Sequence, residues 1–117
     1  MLISELINTL GAEIILGEDK LSEEVNSACG SDMMSDVLAF VKDQAVLLTG
    51  LVNTQVVRTC QMMDIKCIVF VRGKLPGEDL LALAKQNQIV VVCSKLRLYE
   101  ACGLLYMAGL KGGDHIE

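Results

Sequence analysis

At 117 residues the chain has room for one hydrophobic core and not two, so a single domain is expected. Apolar residues make up 52% of it but aromatics only 3%, so the core has to be built from Val, Ile, Leu, Met and Ala rather than from large rings. A net charge of -5 argues against a nucleic-acid footprint, which normally needs a basic face to displace counterions from phosphates.

The first segment places Leu2, Ile3, Leu6, Ile7 and Leu10 on one face and Glu5, Asn8 and Thr9 on the other, an amphipathic helix stopped by Gly11. Glu13-Ile14-Ile15-Leu16 reads as a short strand, followed by the polar turn Gly17-Glu18-Asp19-Lys20. The stretch 24–30 is compatible with an extended segment. Ser31-Asp32 then offers an N-cap to a helix carrying Met33, Met34, Val37, Leu38 and Val41. A strand at 45–49 feeds a helix over about 52–63, with Val52, Val56, Cys60 and Met63 as its buried face. After a strand at 66–71, the turn Arg72-Gly73-Lys74-Leu75-Pro76-Gly77 leads to a helix whose core face is Leu80, Leu81 and Ala84. Its first turn carries Glu78 and Asp79, where the helix dipole favours negative charge. A strand at 89–93 and a last helix at 96–110 complete the pattern, leaving residues 113–117 as a flexible tail after a domain over 1–112.

Three of these runs, Ala45-Val46-Leu47-Leu48, Cys67-Ile68-Val69-Phe70-Val71 and Ile89-Val90-Val91-Val92, are apolar on both faces and alternate with helices. That is the mark of a mostly parallel sheet covered on both sides, here a three-layer α/β/α sandwich of about five strands. In such folds, ligands bind beyond the carboxyl ends of the strands.

No apolar run approaches the roughly 18 residues a membrane helix needs, and no secretory leader pattern is present, so a soluble cytoplasmic protein is expected. The five cysteines, Cys29, Cys60, Cys67, Cys93 and Cys102, never form a CxxC pair and sit mostly in apolar runs. They read as small buried hydrophobes in a reducing compartment, with no metal site. The single histidine, His115, lies in the tail and removes the usual base for a Ser or Cys nucleophile. Cys93, at a strand end, is the one cysteine placed for reactivity. No catalytic set and no cofactor is assigned.

Arg72, Lys74, Lys95 and Arg97 are four of only ten basic residues, and they follow the ends of two strands. With Thr49, Gly50 and Ser94 they form a candidate edge for a nucleotide or phosphorylated small molecule. A glycine-rich phosphate motif is absent. Asp32 and Asp36, one helical turn apart, read either as a metal or general-base pair or as a cap and its solvated neighbour. On the last helix, Leu98, Cys102 and Leu105 form one apolar stripe, and Leu96, Tyr99, Gly103, Tyr106, Met107 and Leu110 form another. One stripe covers a sheet; the second asks for a further surface, and a homodimer is expected there.

Four stretches carry a resemblance: Ser31-Asp32-Met33-Met34-Ser35-Asp36-Val37-Leu38, Asn53-Thr54-Gln55-Val56-Val57-Arg58-Thr59, the run from Asp64 through Ile68-Val69-Phe70-Val71 to Lys74, and Tyr99-Glu100-Ala101-Cys102-Gly103-Leu104-Leu105-Tyr106. In order and spacing the chain resembles the DRTGG domain, over nearly its whole length. The Asp-Arg-Thr-Gly-Gly string itself is absent; Cys29-Gly30-Ser31-Asp32 and Leu48-Thr49-Gly50 are the nearest stretches. The resemblance implies an α/β/α sandwich related to the N-terminal domain of bacterial HPr kinase/phosphorylase. It implies a regulatory role, since such domains occur beside CBS domains in inorganic pyrophosphatases, within phosphotransacetylases and cobyrinate-synthase-like proteins, and as free-standing chains. It supplies no catalytic residues. The reading is therefore a non-catalytic regulatory or ligand-sensing module, dimeric, without nucleic-acid or membrane partners. Its rivals are a docking scaffold for protein partners using Met33, Met34, Tyr99 and Tyr106, and a small phosphoryl-transfer accessory enzyme.

Overall fold

The computed structural model describes residues 1–40 and 44–113. Five strands, β1 (Glu13–Leu16), β2 (Ser27–Gly30), β3 (Ala45–Thr49), β4 (Cys67–Phe70) and β5 (Val90–Cys93), form one sheet in the order β1-β5-β4-β3-β2. β2, β3, β4 and β5 run parallel, and β1 closes the far edge antiparallel to β5. Every residue of β3, β4 and β5 is buried, because helices cover both faces and no side of these strands meets water.

Helices α2 (Met34–Phe40), α3 (Thr54–Met62) and α4 (Glu78–Gln86) lie on one face, where Val37, Val56, Val57, Cys60, Leu80 and Ala84 pack against Leu47, Ile68, Phe70 and Val91. Helices α1 (Ile3–Leu10) and α5 (Leu98–Met107) cover the other, with Ile3, Leu6, Leu10, Ala101 and Leu105 on Val46, Leu48, Val69 and Val92. This is the mostly parallel three-layer sandwich that the apolar runs predict. A 3-10 turn at Glu18–Lys20 links β1 to β2.

Several boundaries differ from the sequence reading. The helix expected from 52 starts at Thr54, because Asn53 stays extended and its Oδ1 accepts from the Val56 amide at 3.3 Å. The last helix is shorter than 96–110: Arg97 is extended at its start, and Ala108 ends it. Leu110, expected on the outer stripe, is withdrawn into the core at 4% exposure, its amide bonded to the Leu105 carbonyl. Asp32 does not cap α2. Ser31 closes a short turn instead, its Oγ accepting from the Met33 amide at 3.0 Å, and the helix begins at Met34. Val41 and His115 lie outside the described residues.

Candidate ligand site at the strand ends

The parallel register decides which residues meet beyond the sheet. Gly30 of β2 pairs with Leu48, and the Ser31 amide donates to the Leu48 carbonyl at 3.0 Å, so the chain leaving β2 passes beside Thr49 and Gly50. Thr49 in turn pairs with Phe70, and the Val71 amide donates to the Thr49 carbonyl at 3.0 Å, which brings Arg72 alongside Gly50 from the other direction.

Three side chains converge on the Thr49-Gly50 segment. Asp32 Oδ1 accepts from the Gly50 amide at 2.7 Å and from Thr49 Oγ1 at 3.0 Å. Lys74 Nζ donates to the Gly50 carbonyl at 2.9 Å. The Arg72 guanidinium lies against the Gly50 Cα, so that a β-carbon there would stand 2.5 Å from Nη2. Thr49, fully buried, also accepts from the Leu51 amide at 3.1 Å. Among the described residues neither Arg72 nor Lys74 is ion-paired with a carboxylate; the ion pairs are Lys20 with Asp19 and Lys66 with Asp64. Two cations, a buried hydroxyl and a backbone donor thus share one small surface, the donor set that recognises a phosphate or carboxylate.

The cationic turn is held from the β5 side. The Arg72 amide donates to the Leu96 carbonyl at 2.7 Å and the Gly73 amide to the Ser94 carbonyl at 2.9 Å. Arg72 and Gly73 are both left-handed, at φ 64° and 69°. Glycine accepts that conformation freely, whereas at arginine it is strained and persists because these bonds fix it. Residues 5–107 match the DRTGG domain. The chain belongs to the DRTGG domain family.

Comparison with curated proteins finds no match for this DRTGG domain. A solved structure similar to it is that of the CBS and DRTGG domains of the regulatory region of Clostridium perfringens pyrophosphatase, complexed with the activator diadenosine tetraphosphate. The TM-score is 0.72 at 17% identity, over 88% of this chain and 45% of that one. The likeness is one of fold, and this domain spans less than half of that structure.

The remaining candidate residues divide. Ser94 is buried and used internally, its Oγ donating to the Leu10 carbonyl at 3.4 Å and accepting from the Leu96 amide at 3.2 Å. Lys95 is exposed and borders a neighbouring cleft with Gly11, Glu13, Gly73 and Cys93, one strand further along the edge. Arg97 is exposed at the N-cap of α5. The compact cluster is therefore Asp32, Thr49, Gly50, Arg72 and Lys74. Asp32 is the member that its sequence position did not suggest; the register of β2 against β3 is what places it there. Asp36 is exposed one helical turn away and takes no part.

The surroundings of the thiols disfavour the thiolate form. All five are free. Burial pushes the Cys60 and Cys67 thiols up to about 12, and it also raises Cys29, Cys93 and Cys102. At Cys93 the nearby Glu13 adds to the effect of burial, so the thiolate needed for nucleophilic attack is disfavoured. Among the described residues no His, Cys, Asp or Glu group could hold a metal ion, and no helix is long and apolar enough to cross a membrane.

On α5, Tyr99 and Met107 are each 85% exposed and Tyr106 is 58% exposed. With the half-buried Leu96 they wall a shallow apolar groove whose lining includes Gly103. Beyond its own helix backbone and its chain neighbours, no atom of the described residues lies within 4 Å of where a Gly103 β-carbon would sit. A helix-interior glycine costs about 0.5–1 kcal/mol relative to alanine, and among the described residues nothing packs close enough to require one here.

Proposed function

We propose that this DRTGG domain is a non-catalytic regulatory module that senses an anionic ligand, a nucleotide or phosphorylated small molecule, at the carboxyl edge of its sheet. The carrying observation is the convergence of Arg72 and Lys74, without carboxylate partners among the described residues, on the Thr49-Gly50 segment. That edge is where open α/β sheets bind ligands. Membership of the family supports the regulatory part of the reading, and the fold neighbour supports it further, because that structure is of a regulatory region complexed with a nucleotide activator. Lys95 and Arg97 extend the positive rim, steering the ligand rather than gripping it.

The module works as a homodimer through the exposed face of α5. Support for this comes from the outer apolar stripe of Leu96, Tyr99, Tyr106 and Met107, and from Gly103, whose missing side chain suits the close approach of a second helix. Docking of a different protein on the same face is the second reading, favoured by the same exposure.

Thermal-shift titration with adenine and guanine nucleotides tests the sensor. A ligand present at 100 times its dissociation constant stabilises the fold by about 2.7 kcal/mol, a visible rise in Tm for a domain of this size. The expected result is a saturable shift without turnover, abolished in the Arg72→Ala/Lys74→Ala variant and reduced by salt. A shift that survives that double substitution, or turnover of the nucleotide, would overturn the reading.

A further inference from the structure

We propose that Asp32 is a built-in competitor for the ligand, its carboxylate standing where a phosphate oxygen would bind and leaving when the ligand arrives. The inference rests on the anion-sensing reading and adds how that site is held closed and what class of group can open it.

The fixed donors at this edge are already taken. A phosphate approaching the end of β3 would use the Gly50 amide and the Thr49 hydroxyl, two donors at that strand end. Both are occupied by a single oxygen, Asp32 Oδ1, at 2.7 and 3.0 Å. The cations beside it are not engaged with that carboxylate. Lys74 is bonded to the Gly50 carbonyl and the Arg72 guanidinium rests on the Gly50 Cα, and neither forms an ion pair with Asp32. The edge thus holds one internal anion that satisfies the fixed donors and leaves the cations without a charge partner among the described residues. A phosphate carries more oxygens than Asp32 brings to bear. It can take the same two donors and still present oxygens to Arg72 and Lys74 after a rotation of their exposed side chains.

Asp32 is also placed so that it can leave. It is exposed, and it lies in the link between β2 and α2, between the Ser31 amide bonded to the Leu48 carbonyl and the turn closed by Ser31 Oγ and the Met33 amide. The donors it would vacate are different. Thr49 is fully buried and Gly50 is buried, so they cannot be left bare and whatever displaces Asp32 must itself accept hydrogen bonds. Neutral ligands without acceptor oxygens are excluded; phosphate groups, whether on a nucleotide or inorganic, fit. Exchange would free the Asp32 side chain from the end of β3, in the link that leads into α2, a route by which occupancy becomes a change of surface.

The test compares the parent chain with Asp32→Asn and Asp32→Ala by calorimetric titration with ATP and, separately, with inorganic pyrophosphate. Asparagine keeps an acceptor and the shape while removing the charge, so it remains informative if alanine weakens the fold. In the parent chain, NMR follows the Asp32 carboxyl carbon and the Gly50 amide during the same titrations. Both variants should bind at least tenfold more tightly than the parent, and the Asp32 carboxyl signal should move on saturation. Tightening for both probes identifies phosphate as the group exchanged; tightening for ATP alone identifies the nucleotide. Equal affinity in all three chains, with a stationary Asp32 signal, would overturn the competitor and leave anion sensing intact. Weaker binding in Asp32→Asn would overturn it in favour of Asp32 as a ligand-holding group. Binding of neither probe to any of the three chains would overturn both readings together.

Discussion

Replacing Gly50 by alanine separates the site from the fold. The added β-carbon would stand 2.5 Å from Arg72 Nη2 and 3.0 Å from Cζ and Nε, and these three nearest atoms all belong to the tip of one flexible side chain. Gly50 is not among the residues with left-handed backbone, so alanine adds no backbone strain and only the Arg72 tip has to shift. The reduced freedom of the unfolded chain contributes about 0.4–1 kcal/mol in favour of folding, and the lost contact with Arg72 offsets part of it. The net change should stay within about 1 kcal/mol, or about 4 °C in Tm for a domain of this length. Gly17→Ala is the contrasting control. Gly17 has φ +102°, and its β-carbon would meet Val90 Cγ2 at 2.9 Å and the Val90 Cα at 3.2 Å, backbone of a central strand. Strain and overpacking together should cost about 2–4 kcal/mol. Anion binding should respond the other way: Gly50→Ala displaces the guanidinium, and loss of a charged hydrogen bond worth about 1.5–3 kcal/mol weakens binding by about 10–100-fold. Thermal melts and ATP titrations on both variants provide the comparison. A Gly50→Ala chain that melts more than about 10 °C lower, or one that binds ATP as the parent does, would refute the reasoning.

Two further outcomes are expected. Sedimentation should give a dimer for the parent chain, with Met107→Glu shifting it to a folded monomer whose Tm no longer depends on concentration; Gly103→Ala should stabilise the monomer by about 0.5–1 kcal/mol while weakening the dimer, and a monomeric parent at micromolar concentration would remove the α5 interface. Cys60 and Cys67 should be the slowest thiols to alkylate in the folded protein at pH 8, and because folding raises them to about 12 from an ordinary value near 9, the folded state binds more protons between those limits, so stability should hold below pH 9 and fall as pH rises towards 12; a flat profile there would contradict their burial.

The sheet was legible where burial left a plain signature. The runs at 45–48, 67–71 and 89–92 are apolar throughout because both faces are covered, and an alternating pattern would have meant a different fold. β2 was faint because Ser27-Ala28-Cys29-Gly30 is an edge strand of small residues, only partly buried. The cationic half of the site could be read from Arg72 and Lys74 after a strand. Its acidic member could not, since Asp32 makes contacts 17 and 18 residues away that depend on the β2–β3 register, and locally it looks like a cap. The positive φ of Arg72 was equally hidden, because Gly73 alone suffices to suggest a turn. Leu110 falls on the outer stripe only if the helical period continues past the residue where the helix ends.

The central claim, that the Thr49-Gly50 segment with Arg72 and Lys74 is an anion sensor, is tested most directly by mapping amide shifts in the parent chain during titration with ATP. The account predicts a saturable response centred on Gly50, Leu51, Arg72 and Gly73 that vanishes in the Arg72→Ala/Lys74→Ala variant. No response up to millimolar ATP, or a response centred on α5 instead, would contradict it.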